Sequence, residues 1–156
     1  MSRFICTAAS FLLLSGGAHS LEAAPAPSAR EFCEALPQSD DPLKPVQGLQ
    51  LIRGHALRKL VVGSVMDTPY GETLWDSSTY FERNGRFSAS VHSGEVGGTY
   101  RFAGTSVRET ADSGGQETSF ALFRRRDGII VAHFIYHYQH DDVRNFCVSF
   151  EHPMTQ

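Results

Sequence analysis

The residues best suited to chemistry cluster near the C-terminus: His133, His137 and His140, followed by Asp141 and Asp142. On a helix, offsets of four and seven would gather three imidazoles on one face and suggest a metal site. The local composition argues for a strand instead. Gly128 opens the segment, and Ile129, Ile130, Val131, Phe134, Ile135, Tyr136 and Tyr138 all favour extended backbone. At about 3.3 Å per residue, His133 and His137 on one strand stand roughly 13 Å apart, and His140 points the other way, so no metal is expected. Histidines satisfied in or beside a core are the simpler reading, with His133 or His137 able to orient a ligand inside a barrel. Asp141 and Asp142 read as turn residues, since Asp bonds its own nearby backbone there.

Other candidates are weaker. A nucleophile needs a base within hydrogen-bond reach and a group to orient that base. Serines and threonines are plentiful, but no Gly-x-Ser-x-Gly elbow is present, and no catalytic residue is assigned. Gly94, Gly97 and Gly98 link two expected strands and precede no helix, which excludes a phosphate loop by context. Arg124, Arg125 and Arg126 form a basic tip on an expected hairpin. Alternation sends neighbours to opposite faces, so a continuous groove is not expected. The bland reading is solvated charge; the sharper one is docking of an acidic protein partner. The whole chain carries a formal charge of −3, too mild and of the wrong sign to draw nucleic acid or an anionic membrane.

The N-terminus sets the compartment. Arg3 precedes an apolar run from Phe4 to Leu14, and Ser15-Gly16-Gly17-Ala18-His19-Ser20 supplies small residues around a cleavage point before Leu21. This is the pattern of a secretory leader, residues 1–20. The run falls short of the roughly 20 residues that span a bilayer, and no other segment of the chain is apolar enough to do so. Loss of the leader removes Cys6 and leaves Cys33 and Cys147, which an oxidising compartment would pair. The chain is therefore expected to be periplasmic or extracellular. Residues 21–45 carry Pro25, Pro27, Pro37, Pro42 and Pro45 and read as an arm, with one short helix possible over 29–36.

The elements that must position these groups lie in residues 46–156. Aromatic and β-branched runs are broken at short intervals by turn residues, which predicts strands near 46–53, 57–66, 73–82, 86–92, 98–103, 105–111, 117–125, 129–139 and 143–150. Short connections make neighbours pair antiparallel. The expected fold is all-β: an up-and-down meander of 8–9 strands forming a small barrel or strongly curled sheet. One hairpin has a testable register. A three-residue loop, Arg83-Asn84-Gly85 with Gly85 left-handed, pairs Phe81 with Phe87 and Thr79 with Ala89, leaving Glu82 opposite Arg86 on the other face. Phe81, Phe87, Val91 and Trp75 are then interior. Strand 129–139 is apolar on both faces, so something must cover it twice; the arm tied by Cys33 and Cys147 is the preferred cover, ahead of a partner subunit or a ligand.

The run Tyr80-Phe81-Glu82-Arg83-Asn84-Gly85-Arg86-Phe87, with Gly94-Glu95, Gly98-Thr99-Tyr100-Arg101-Phe102 and Asp127-Gly128, resembles small exported lipocalin-like domains of bacteria. The resemblance covers roughly residues 48–135 and lacks the early Gly-x-Trp element, since Trp75 has no glycine two places before it. It implies a barrel able to hold a ligand and carries over no catalytic residue. Together these readings predict a non-catalytic, cofactor-free binding module for a small apolar or amphipathic ligand, met by Trp75, Tyr100, His133 and His137. The alternatives are an envelope interaction protein, an inhibitor or immunity partner of a secreted enzyme acting through Arg124–Arg126, and a small periplasmic hydrolase.

Overall fold

A computed structural model of the chain describes residues 28–36, 48–67, 78–91, 94–137 and 141–153. The arm contributes α1 (Ala29–Glu34), which is followed by β1 (Gln50–Leu51), α2 (His55–Val61) and β2 (Val65–Asp67). Then come β3 (Ser78–Phe81), β4 (Arg86–Val91), β5 (Gly94–Ala103), β6 (Ser106–Ala111), β7 (Glu117–Arg124), β8 (Ile130–His137) and β9 (Asp141–Glu151). From β2 to β9 each strand pairs antiparallel with its chain neighbour, and β9 returns to pair with β2. Eight strands thus close into an up-and-down barrel, and β1 adds itself to the overhanging end of β7. Closure leaves the eight strands without the unpaired edges a curled sheet would expose.

The β3–β4 hairpin has the expected register. Phe81 opposes Phe87 and Thr79 opposes Ala89. The amide of Glu82 donates to the Arg86 carbonyl at 2.8 Å, and Gly85 takes φ +87°, a conformation that favours glycine. Phe81 and Phe87 are both buried inside; Trp75 lies outside the described residues.

Four boundaries differ from expectation. Residues 57–66 are not one strand: α2 takes the first half and β2 only the last two residues, because Leu57, Leu60 and Val61 fall on one helical face with Arg58 and Lys59 away from it. Positive-φ glycines, Gly54 and Gly63, bound the helix on both sides. The expected strand 46–53 contracts to β1. Gly94 to Gly97, read as a breaker, is the first part of β5. Gly98 within it lies directly beneath the Phe87 ring, where a Cβ would stand 2.6 Å from the ring edge. Asp141 and Asp142 are strand residues rather than turn residues, since the β8–β9 ladder runs on to the pair His137 and Asp141.

Alternation along each strand sorts the walls. The inward set comprises Met66, Phe81, Phe87, Tyr100, Val107, Phe120, Leu122, Ala132, Phe134, Phe146 and Val148, one continuous core. Leu57 and Val61 of α2 join that core and close the end that carries the β3–β4, β5–β6 and β7–β8 turns. Arg58 of α2 lays its guanidinium 4.4 Å from the centre of the Phe102 ring.

The arm covers the outer face of β8 and β9 around Val131 and Cys147. Cys33 and Cys147 are disulfide-bonded, and Phe32, Cys33 and Leu36 pack with Leu49, Ile129, Val131 and Cys147 into a second apolar cluster. Ser28 starts α1 with a reciprocal capping box: its hydroxyl accepts from the Glu31 amide, and the Glu31 carboxylate accepts from the Ser28 amide. Among the described residues, no helix is long and apolar enough to cross a membrane.

Candidate functional site

Burial varies along the inward faces. Phe81, Val107 and Leu122 near α2 have essentially no exposure, while Phe102 and Ile130 at the same end are partly buried. Toward the far end, the inward positions Val96, Glu109, Ala111, Thr118, Tyr136 and Arg144 all keep partial exposure. These six surround the far mouth of the barrel, the cup, over a layer of aromatic side chains. Phe120 and Phe134 lie 5.1 Å apart between ring centres, and Tyr136 stacks on Phe134 at 5.9 Å with the planes 14° apart.

Glu109 is the unusual member. Val107, two residues earlier on β6, is wholly buried in the core, so Glu109 also faces inward. In register it stands between Tyr100 of β5 and Thr118 of β7. Its Oε1 is sealed from water and meets no hydrogen-bond donor among the described residues. Burial of the carboxyl, with no compensating charge, pushes its pKa up to about 8. Neighbouring Arg108 and Glu117 point outward and hold each other at 2.7 Å, so neither serves Glu109. Sequence reasoning passed over this residue; the signal was present in Val107 and Ala111, which put Glu109 on the apolar side of its strand.

The expected ligand-contacting residues separate. Trp75 lies outside the described residues. Tyr100 is inside but committed: its hydroxyl donates to the Glu82 carbonyl at 2.7 Å, and its ring meets Phe81 edge-on at 5.2 Å. It is a core residue, not a free polar handle. His133 and His137 are on the outer wall, because Ala132, Phe134 and Tyr136 take the inward places. His133 is nearly buried and its Nδ1 donates to Asn145 Oδ1 at 2.7 Å, with the Phe123 ring edge-on beside it. His137 Nε2 lies 2.9 Å from Ser119 Oγ. Among the described residues this pair comes nearest to a nucleophile and base, yet Ser119 is only 6% exposed and lies on the outward side of β7. Both histidines are carried on the outward side of β8, whose own backbone lies between their rings and the lumen. Among the described residues, no three potential ligands gather around a metal position; His140 lies outside them.

Arg124, Arg125 and Arg126 do come together. Regular alternation ends with β7 at Arg124, and the three then line a cleft of about 280 Å³ with Gly48, Leu49 and Gln50. Arg125 also braces the arm, its guanidinium 4.3 Å from the Phe32 ring centre and 3.4 Å from Asp127. Arg124 and Arg126 remain exposed.

Fold and site together define a class: a closed eight-stranded antiparallel barrel, plugged at one end by a helix, strapped outside by a disulfide-held arm, and carrying a buried acid on its inner wall toward the other end. No family model, no curated protein and no solved structure matches the chain.

Proposed function

We propose that the protein is an exported, non-catalytic binding module that takes one small, largely apolar ligand into the cup at the end of the barrel remote from α2. The observation that carries this reading is the partial exposure of inward Glu109, Thr118 and Tyr136 at the end of the barrel remote from α2, beside the buried Phe120 and Phe134 rings. Concave, mostly apolar spaces with few polar groups are where proteins hold small molecules. The lipocalin-like resemblance of the turns and the disulfide support the same reading, the second because such bonds persist in oxidising compartments.

Native mass spectrometry of the protein purified from its own envelope tests it. The expected mass is that of a chain beginning at Leu21 with one disulfide, accompanied by a small-molecule adduct. Ala111→Trp, which fills the cup, should abolish the adduct while leaving the circular dichroism of the barrel unchanged. An adduct that survives the tryptophan, or its absence from the wild-type protein, would remove the support.

A second reading rests on a different observation. The Arg124–Arg126 cleft offers a fixed cationic surface for a carboxylate-bearing protein partner, where Arg forks suit planar acids. Replacing Arg124 and Arg126 by Ser would weaken such docking and leave the cup adduct intact.

A further inference from the structure

The cup has a feature that an apolar ligand alone does not explain. An inward carboxyl oxygen without a donor is costly in a folded protein, because burial removes its water and returns nothing. Glu109 Oε1 is in that position, while the side chain's remaining atoms border the accessible part of the cup. On the same wall, Thr118 and then Tyr136 follow Glu109 across the β6–β7–β8 register. Tyr136 lies two strand spacings away, roughly 10 Å. An acid at one side and a stacked aromatic pair at the other form the two halves of a site for an amine carried on an apolar body: the carboxylate meets the nitrogen, and the rings meet the body and part of the positive charge.

We propose that the ligand of the cup is a protonated primary or secondary amine on an aromatic or short apolar frame, with its nitrogen donating to Glu109 Oε1. This rests on the cup being a ligand site. Among the described side chains, the other titratable or charged groups on inward faces around Glu109 are Tyr100 on β5, Tyr136 on β8 and Arg144 on β9; the ladder also sets Asp142 of β9 opposite Tyr136. Tyr100 is held by the Glu82 carbonyl, and burial raises its pKa. Tyr136 and Arg144 have interactions of their own. Glu109 is therefore the group whose ionisation the amine would drive. In the empty barrel the carboxyl keeps its proton up to about pH 8. Arrival of an ammonium cation sends that proton to bulk water and leaves an ion pair in the cup.

The probes are three compounds with one frame and different heads: 2-phenylethylamine, 2-phenylethanol and 3-phenylpropionate. Isothermal titration of the whole mature protein at pH 8 should show the amine binding at least about tenfold more tightly than the alcohol, and the acid most weakly. Between pH 6 and pH 8 the amine's affinity should rise by about tenfold per pH unit, with proton uptake by buffers of different ionisation enthalpy, while the alcohol's stays flat. Glu109→Gln keeps the size of the side chain and should bring amine and alcohol to equal affinity at every pH. An amine no tighter than the alcohol, or an amine advantage that persists in E109Q, overturns the proposal and leaves the cup reading standing. Failure of all three compounds, the alcohol included, overturns both.

Discussion

Glu109 dominates at the residue scale because its cost depends on pH. Its folded pKa is raised to about 8 against an ordinary value of 4.5. For a raised acid, the folded state holds the proton more tightly than the unfolded chain. The Glu109 contribution to stability is therefore greatest below about pH 4.5, declines as pH rises toward 8, and levels off above that. Urea denaturation of the wild-type barrel across this window should show a loss of a few kcal/mol, on the order expected for a shift of this size in a partly accessible site. Glu109→Gln should flatten the profile, and an unchanged slope in that variant would place the titration elsewhere. Gly98 is the complementary case. A methyl group there would meet the Phe87 ring and the Thr110 carbonyl, neither a yielding neighbour, so Gly98→Ala should destabilise the barrel by about 1–3 kcal/mol by overpacking.

At the scale of elements, α2 is the part most removed from the β pattern. It is seven residues long, starts at Gly54 without a side-chain cap, and would be marginal alone. Tertiary burial of Leu57 and Val61 stabilises it. Leu57→Ala should then cost about 2–5 kcal/mol and raise amide exchange through α2 and the adjoining Gly63–Ser64 segment, which bonds to Phe81. Exchange confined to α2 with no change in global stability would mean the helix is not a plug. The β3–β4 hairpin behaves in the opposite way. Its register follows from Gly85 and from two phenylalanines placed to oppose each other, all within a few residues, and so was legible in advance.

For the molecule as a whole, the Cys33–Cys147 bond ties the arm to the last strand across 114 residues of sequence. In the chain-entropy account a loop of this length is worth about 4–5 kcal/mol. Replacing both cysteines by serine should lower the denaturant midpoint accordingly and expose the apolar outer wall around Val131, read as increased binding of a hydrophobic dye. A midpoint unchanged by the double replacement would mean that packing of Phe32 and Leu36 alone holds the strap. This cover also explains why β8 is apolar on both faces: one face fills the lumen and the other lies under the arm.

Local chemistry in the sequence determined most of the strands from β3 onward, the Arg83–Gly85 turn, the short helix of the arm and the two cysteines suited to pairing, because each depends on residues near one another or on composition; α2 and the start of β5 were missed. Where a strand is apolar on both faces, local chemistry did not determine which one is the inside. In β8 both faces are apolar, so His133 and His137 could be assigned to either. Closure of β9 on β2, together with the strap, turned them outward. The same closure put Glu109 inside, beside Thr118 and toward Tyr136, and gathered Arg124–Arg126 where the strand ends. Alternation states which side chains share a face; only the distant pairing that rolls the sheet, and the segments that then cover it, decide what that face meets.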